Sequence, residues 1–244
     1  MRQLRSVLFT IWFYAITLSM AAFGQIVVLL WPGQLRAFAR RWGSLVLSAL
    51  PICGIRYKII GQENLPKDGP MLIASMHQSA FDTLLWFGMV PYCRYIVKIE
   101  LTRLPLFGRL VRMSGSIGVD RAGGGATMRL LLREGGAALA AGSQIVIFPE
   151  GTRVAGGEIA PLQPGVAALA KVGKVRVIPV ATDSGRCWGK GRFGKRPGVI
   201  HVLIRPPIEA GLSREALMIR LREEFEAGAA ELRTLAEPVD NSVH

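Results

Sequence analysis

The sequence predicts an α/β fold behind an N-terminal membrane segment, and three observations carry that expectation. The first is an apolar run of 25 residues, Val7 to Trp31. The second is a series of short apolar, strand-like segments separated by helical stretches and by turns rich in Gly and Pro. The third is that the two most chemically loaded segments, His77 to Asp82 and Glu150 to Arg153, each follow directly on such a strand. Loops at the C-terminal ends of strands are where α/β sheets bind their ligands.

From residue 6 to residue 37 the only charge is Arg36. A bilayer core asks for roughly 20 apolar residues, so the run is long enough to cross. A secretory signal is the competing reading, because Arg2 and Arg5 precede the run and Ala21 and Ala22 are small. The h-region of a signal is only about 7–15 residues, however, whereas this run continues past any cleavage point, so a retained anchor is expected. Beyond the basic patch Arg36, Arg40 and Arg41 lies a second apolar stretch, Leu45 to Ile55, interrupted by Pro51 and Gly54. It is too short to span and is expected in the interface or one leaflet. Basic residues flank both ends of the first run, so the positive-inside rule gives no orientation, and a helical pair dipping into one leaflet stands beside a single span. The expected division is therefore residues 1–55 as membrane-anchoring helices, 56–236 as a catalytic domain and 237–244 as a disordered tail.

With 244 residues, half of them apolar, the chain has room for one sizeable domain and an appendage. Thirty Lys and Arg against seventeen Asp and Glu leave a net charge of +13, which suits nucleic acid, an anionic membrane or phosphorylated substrates. Nucleic acid is not expected, since there is no zinc-finger spacing and no aromatic signature of an RNA-binding sheet. Cys53, Cys93 and Cys187 are odd in number and widely spaced. Neither a disulfide nor a metal site is expected, and the cytoplasmic side of a membrane fits.

In chain order, Tyr57 to Ile60 reads as a strand, followed by a turn-rich connection and a second strand, Met71 to Ala74. His77 comes next, then Asp82 five positions on. That spacing is not a same-face helical one, so the two meet if His77 lies in a loop and Asp82 begins the next helix, where the helix dipole favours its charge. An imidazole titrates near neutrality and can take a proton from an attacking alcohol, with the carboxylate holding its tautomer. The pair alone is a weak signal. Thr83 to Met89 reads as a buried helix and Tyr95 to Val97 as a strand ending at Lys98, a candidate phosphate contact with a solvated lysine as the equal alternative. Leu101 to Arg112 is helical but broken by Pro105 and Gly108. Arg121 follows a β-like segment and precedes three glycines, where its guanidinium can reach a phosphate in bidentate fashion.

Ala126 to Ala141 reads as a helix with a soft spot at Gly135 and Gly136. Gln144 to Phe148 is a buried strand that Pro149 ends, and Gly151 permits a tight turn with close backbone approach. Glu150, Gly151, Thr152 and Arg153 then project at the strand end. Val175 to Ala181 is another buried strand, in which Pro179 suggests a bulge or an edge. Val199 to Ile204 is the last strand. Leu212 to Leu235 is an amphipathic helix with Leu217, Leu221, Phe225 and Leu232 inward and Arg220, Glu223 and Glu224 expected in solvent. The glycines Gly189, Gly191 and Gly194 imitate nucleotide loops, but they do not open a helix, and Arg196 stands where a phosphate loop needs Ser or Thr. The basic residues around them, Arg186, Lys190, Arg192, Lys195 and Arg196, are expected to face lipid or a cofactor phosphate.

His77-Gln-Ser-Ala-Phe-Asp82, the segment Gly115 to Arg121, Phe148-Pro-Glu-Gly-Thr-Arg153 and Val177-Ile-Pro-Val-Ala181 together resemble the four ordered blocks of the glycerolipid acyltransferases, in particular the bacterial 1-acyl-glycerol-3-phosphate acyltransferases. The resemblance covers residues 57 to 210 and departs at Met76, where the common form has Asn. It implies a mostly parallel sheet flanked by helices, preceded by a membrane helical motif. It implies His77 and Asp82 as a general-base dyad, with no acyl-enzyme and no metal or bound cofactor. The acceptor would be a lysophospholipid and the donor acyl-CoA or acyl-carrier protein. Lys98, Arg121, Glu150, Gly151, Thr152 and Arg153 would hold the acceptor, and anionic lipids of the bacterial inner membrane would hold the protein, active site on the cytoplasmic side. The alternatives are another acceptor, such as lyso-ornithine lipid, and a membrane lipid-binding protein without turnover.

Overall fold

The computed structural model describes residues 2–120, 122–154, 158–189, 191 and 194–236. Among them, seven strands form one sheet: β1 (Ile55–Ile60), β2 (Met71–Ser75), β3 (Cys93–Lys98), β4 (Ile117–Val119), β5 (Gln144–Ile147), β6 (Val177–Thr182) and β7 (Gly198–Ile204). Their order is β1-β7-β6-β2-β5-β3-β4. β2, β3, β4, β5 and β6 run in parallel, while β7 is antiparallel to β6 and parallel to β1. The sheet is thus mostly parallel, and the C-terminal ends of five strands share one edge.

The helices are α1 (Arg2–Leu30), α2 (Leu35–Leu47), α3 (Phe81–Met89), α4 (Phe107–Met113), α5 (Gly124–Ala140), α6 (Gly165–Gly173), α7 (Ser184–Cys187) and α8 (Arg214–Leu235). They cover both faces, so β2, β5 and β6 are buried along their whole length. That is why these strands read as unbroken apolar runs. Side chains of β2 alternate between two cores. Met71 and Ile73 join Phe9, Phe81 and Trp86 on the face covered by α1, α2 and α3. Leu72 and Ala74 join Leu139, Val166 and Phe225 on the face covered by α5, α6 and α8.

Five local readings are revised or made specific. The stretch Leu45 to Ile55 does not lie out in an interface. It forms the end of α2, a 3₁₀ turn at Leu50–Cys53 and the start of β1, with Gly54 at φ 68° turning the chain back. Val46, Leu50, Cys53 and Ile55 are buried under the sheet in consequence. α6 escapes sequence reading because Gly165–Gly173 has no polar stripe to set a period, being buried at Val166, Ala167, Leu169 and Ala170. Gly135, on α5, faces Leu169 of α6 so closely that a Cβ would strike it, so the apparent soft spot is a helix contact. Pro179 lies on an interior strand, at a slip of one residue between the pairs Val177↔Ile208 and Val180↔Ile204. A bulge is where a sheet interior accepts proline. Glu224 is buried, held by Arg205 and Arg220.

α1 has the length and composition to cross a membrane, with mean hydropathy 1.9 over its most apolar window and only 22% of that window buried. A core helix would be mostly covered. Its inner residues are specific all the same: Phe9 is fully buried and meets Trp188 edge-on at 5.1 Å. Lys195, buried, reaches Thr10 of α1 at 3.1 Å. That lysine is therefore not a lipid-facing charge. Lys190 and Arg192, from the same basic loop, lie outside the described residues, as do Arg121 and the tail 237–244.

Candidate active site

β2 ends at Ser75, and Met76 still donates its N–H to Val180 on β6. The chain then leaves the sheet at His77 and turns through Gln78, Ser79 and Ala80 into α3. Asp82 occupies the first turn of that helix. Its Oδ2 lies 3.3 Å from His77 Nδ1 and accepts the backbone N–H groups of Gln78 at 2.7 Å and Ser79 at 2.8 Å. Instead of capping α3 forwards, the carboxylate reaches back and folds the His loop over itself. Just ahead of the helix, Ser79 Oγ accepts from Phe81 N–H at 3.1 Å.

The turn after β5 closes on the same histidine. Glu150 Oε2 accepts the His77 N–H at 2.8 Å, and Val154 donates its N–H to the His77 carbonyl at 2.8 Å. The His77 peptide is thus clamped from both sides by residues more than seventy positions away. Gly151, at φ 69°, makes the turn that brings Glu150 inward, with its N–H on the Phe148 carbonyl at 2.9 Å. Phe148 stacks on the imidazole, ring centres 4.0 Å apart at 21°. With Nδ1 turned to Asp82 and one ring face covered, Nε2 is the nitrogen left to meet a substrate. Burial pushes the Glu150 carboxyl up to about 7, against the lowering effect of the His77 and Ala160 N–H groups and with the charge of Asp82 adding to the rise.

Thr152 and Arg153 are exposed on this turn. Lys98 stands on the same sheet edge at the end of β3 and is paired with Glu100 at 2.9 Å. The structure therefore joins His77, Asp82 and Glu150 directly, sets Gly151, Thr152 and Arg153 on the adjoining turn, and leaves Lys98 engaged with a neighbour.

Sequence reading passed over a second layer behind the loop. Gln78 Oε1 accepts from Gly185 N–H at 3.0 Å, and Ser79 Oγ meets Ser184 Oγ at 2.9 Å. Asp183, just before, accepts from His201 N–H at 2.6 Å and from Arg186 at 3.1 Å, with His201 Nδ1 at 3.3 Å. No sequence signal joins these positions, because β7 comes beside β6 only in the folded sheet. Beside Thr83, an apolar cavity of about 790 Å³, open mouth included, lies between α1, α2, α3, β3 and α4. Met20, Phe38, Trp42, Phe87 and Leu110 are among its walls.

The acyltransferase family profile matches residues 56–183, from the first strand to Asp183. This chain belongs to the acyltransferase family. A 1-acyl-sn-glycerol-3-phosphate acyltransferase of Pseudomonas aeruginosa is 32% identical over 192 residues, spanning 79% of this chain and 74% of that protein. The enzyme of the same name from Bacillus subtilis is 34% identical over 62% of this chain and 73% of its own length. The crystal structure of the 1-acyl-sn-glycerophosphate (LPA) acyltransferase from Thermotoga maritima superimposes with a TM-score of 0.80 at 25% identity, covering 98% of this acyltransferase and all of that chain. The likeness thus extends beyond the profile match to the N-terminal helices.

Proposed function

We propose that this acyltransferase moves a fatty acyl group from acyl-CoA or acyl-carrier protein to the sn-2 hydroxyl of 1-acyl-glycerol-3-phosphate, forming phosphatidic acid. The single observation that carries the reading is the clamped His77–Asp82 pair at the C-terminal edge of the sheet, with Nε2 free to act. The names of the relatives supply the acceptor. In this mechanism the imidazole Nε2 takes the proton of the acceptor hydroxyl while its oxygen bonds the thioester carbon. The C–S bond then breaks, and the proton passes from His77 to the departing thiolate. Asp82 holds Nδ1–H and stabilises the imidazolium. No acyl-enzyme is needed, and Arg153 with the Glu150 turn and Arg121 receives the acceptor phosphate.

The apolar cavity beside Thr83, the residue after Asp82, supports the same reading, since an acyl chain needs a dry place near the dyad. The exposed side of α1 and the net charge of +13 suit a site at an anionic membrane, each basic residue near the surface adding about 1 kcal/mol. The reading includes membrane association on the cytoplasmic face, with α1 as anchor.

The test uses purified protein in liposomes with oleoyl-CoA, then acyl-carrier protein as donor, and compares lysophosphatidic acid, lyso-ornithine lipid and glycerol-3-phosphate as acceptors. Lysophosphatidic acid is expected to be acylated fastest. Preference for lyso-ornithine lipid would keep the dyad and overturn the acceptor. No turnover with either donor would leave a lipid-binding protein.

A further inference from the structure

Between β3 and β4 the chain makes an excursion of fifteen residues, Ile99 to Met113, whose inner side lines the apolar cavity and whose outer side has no role in the chemistry above. It is a built feature. A 3₁₀ turn (Ile99–Arg103) runs into Pro105 and Leu106, and α4 returns from the tip. Gly108 packs so tightly on the Thr102 carbonyl that any Cβ would collide with it, and its N–H bonds the Leu104 carbonyl at 2.8 Å. Arg112 also bonds the Thr102 carbonyl. Leu106 is held at φ 59°, a conformation that side-chain-bearing residues rarely adopt. This tight frame turns apolar side chains outward: Leu104 is 46% exposed, Leu106 48% and Met113 52%.

That face is continuous with the uncovered side of α1. Gln25 of α1 donates to the Leu106 carbonyl at 2.8 Å, and Gly24 of α1 lies against Leu110 of α4. Phe23 and Ile26, on the same turns of α1, are 54% and 46% exposed. Arg103 and Arg109, both exposed, border the apolar tip. An apolar patch rimmed by cations and joined edge to edge with a membrane helix matches one surface, the headgroup and upper acyl region of an anionic bilayer.

We propose that the loop 104–106 with Met113 is a second membrane-inserting element that enters the same leaflet as α1. With it inserted, the cavity between α1 and α4 opens into lipid rather than into water. The inference rests on the membrane placement under Proposed function but not on the identity of the acceptor.

Cys53, Cys93 and Cys187 are buried, so Leu106→Cys offers one accessible thiol for an environment-sensitive fluorophore. The full chain carrying this label is mixed with vesicles of phosphatidylethanolamine and phosphatidylglycerol, with or without nitroxide-bearing lipids. Leu212→Cys, labelled likewise, serves as the aqueous reference. The expected result is a blue-shifted emission at position 106, at least two-fold quenching by the nitroxide lipids and protection from iodide, with none of these at position 212. Quenching at position 106 by iodide and not by the lipids would overturn the proposal. A blue shift without lipid quenching, but with energy transfer between labelled copies, would overturn it in favour of a second copy covering this face. In a companion assay, Leu104→Asp with Leu106→Asp should slow acylation of vesicle-presented acceptor about ten-fold and leave detergent-dispersed acceptor within about two-fold. If no acceptor is turned over, the function assignment fails while the fluorescence result still decides insertion.

Discussion

Two His–Asp pairs in this molecule have the same measured contact. His77 Nδ1 lies 3.3 Å from Asp82 Oδ2, and His201 Nδ1 lies 3.3 Å from Asp183 Oδ2. Their side chains are almost equally covered, 13% and 11% exposed for the two histidines. In both, the aspartate also accepts backbone N–H groups. What differs is where the histidine sits and what else the aspartate does. His77 leaves the sheet at the C-terminal edge, where ligands reach α/β sheets, and Asp82 serves only the His loop. His201 lies inside β7, a strand running against β6, and Asp183 is tied to Arg186 as well. The His–Asp distance is therefore the same in both, and position at the C-terminal edge of the sheet is what sets His77 apart.

The largest expected effect separates the two histidines. His77→Ala should lower the rate of acyl transfer at least ~10³-fold, beyond the centre of the range for losing a general base, while membrane association persists. His201→Ala should keep the rate within about ten-fold and lower the thermal midpoint instead. Comparable rate losses in both variants would erase the distinction. The aspartates come next. Asp82→Asn is expected to cut kcat about 10²-fold with little change in KM, because the imidazole loses its tautomer control. Asp183→Asn should cost about 1–3 kcal/mol of stability, the range for leaving buried donors unsatisfied, with kcat nearly retained. Denaturation curves alongside initial rates separate these outcomes.

Two smaller effects sharpen the account of the turn beside His77. Arg153→Ala should raise the KM for lysophosphatidic acid roughly ten-fold and leave kcat near that of the parent, as for a charge-assisted contact worth about 1.5–3 kcal/mol. An unaltered KM removes Arg153 from the phosphate site. Glu150 is read through pH. Its folded-state value is raised to about 7 from 4.5, so between those values the native protein holds a proton that the unfolded chain has released. Stability contributed by this group is complete below pH 4.5 and falls as pH rises to about 7, by up to ~3 kcal/mol. Glu150→Gln accepts the His77 N–H without titrating. Melting temperatures from pH 4.5 to 8 should slope less steeply in that variant than in the parent, and parallel slopes would contradict the buried-carboxyl account.

Much of this was readable from the chain. Met71–Ser75 and Gln144–Ile147 are apolar without interruption because both sheet faces are covered, and such runs announce buried parallel strands. His77 and Asp82 were readable as a pair because the loop joining them is short. α6 was not readable, since its only charged residue is Lys171 and its exposed side carries no polar stripe to mark a period. Glu224 read as solvent-facing because its partner Arg205 lies nineteen residues away. The clamp on the His77 peptide was hidden for the same reason. Glu150 and Val154 act on main-chain atoms, which leave no trace in residue type at position 77.

The sequence by itself determined the order of the strands, the long apolar helix α1 and the meeting of His77 with Asp82. Each of these depends on residue type and near-neighbour spacing, and local propensity and hydrophobic patterning encode both. Only the tertiary structure decided that β7 runs against β6, that Asp183 belongs to His201, and that Phe148 and Glu150 close on the His77 loop. Those choices follow from which strands lie side by side and in what register. Pairing is a cooperative outcome of burying both faces of one sheet at once, and no single segment carries it.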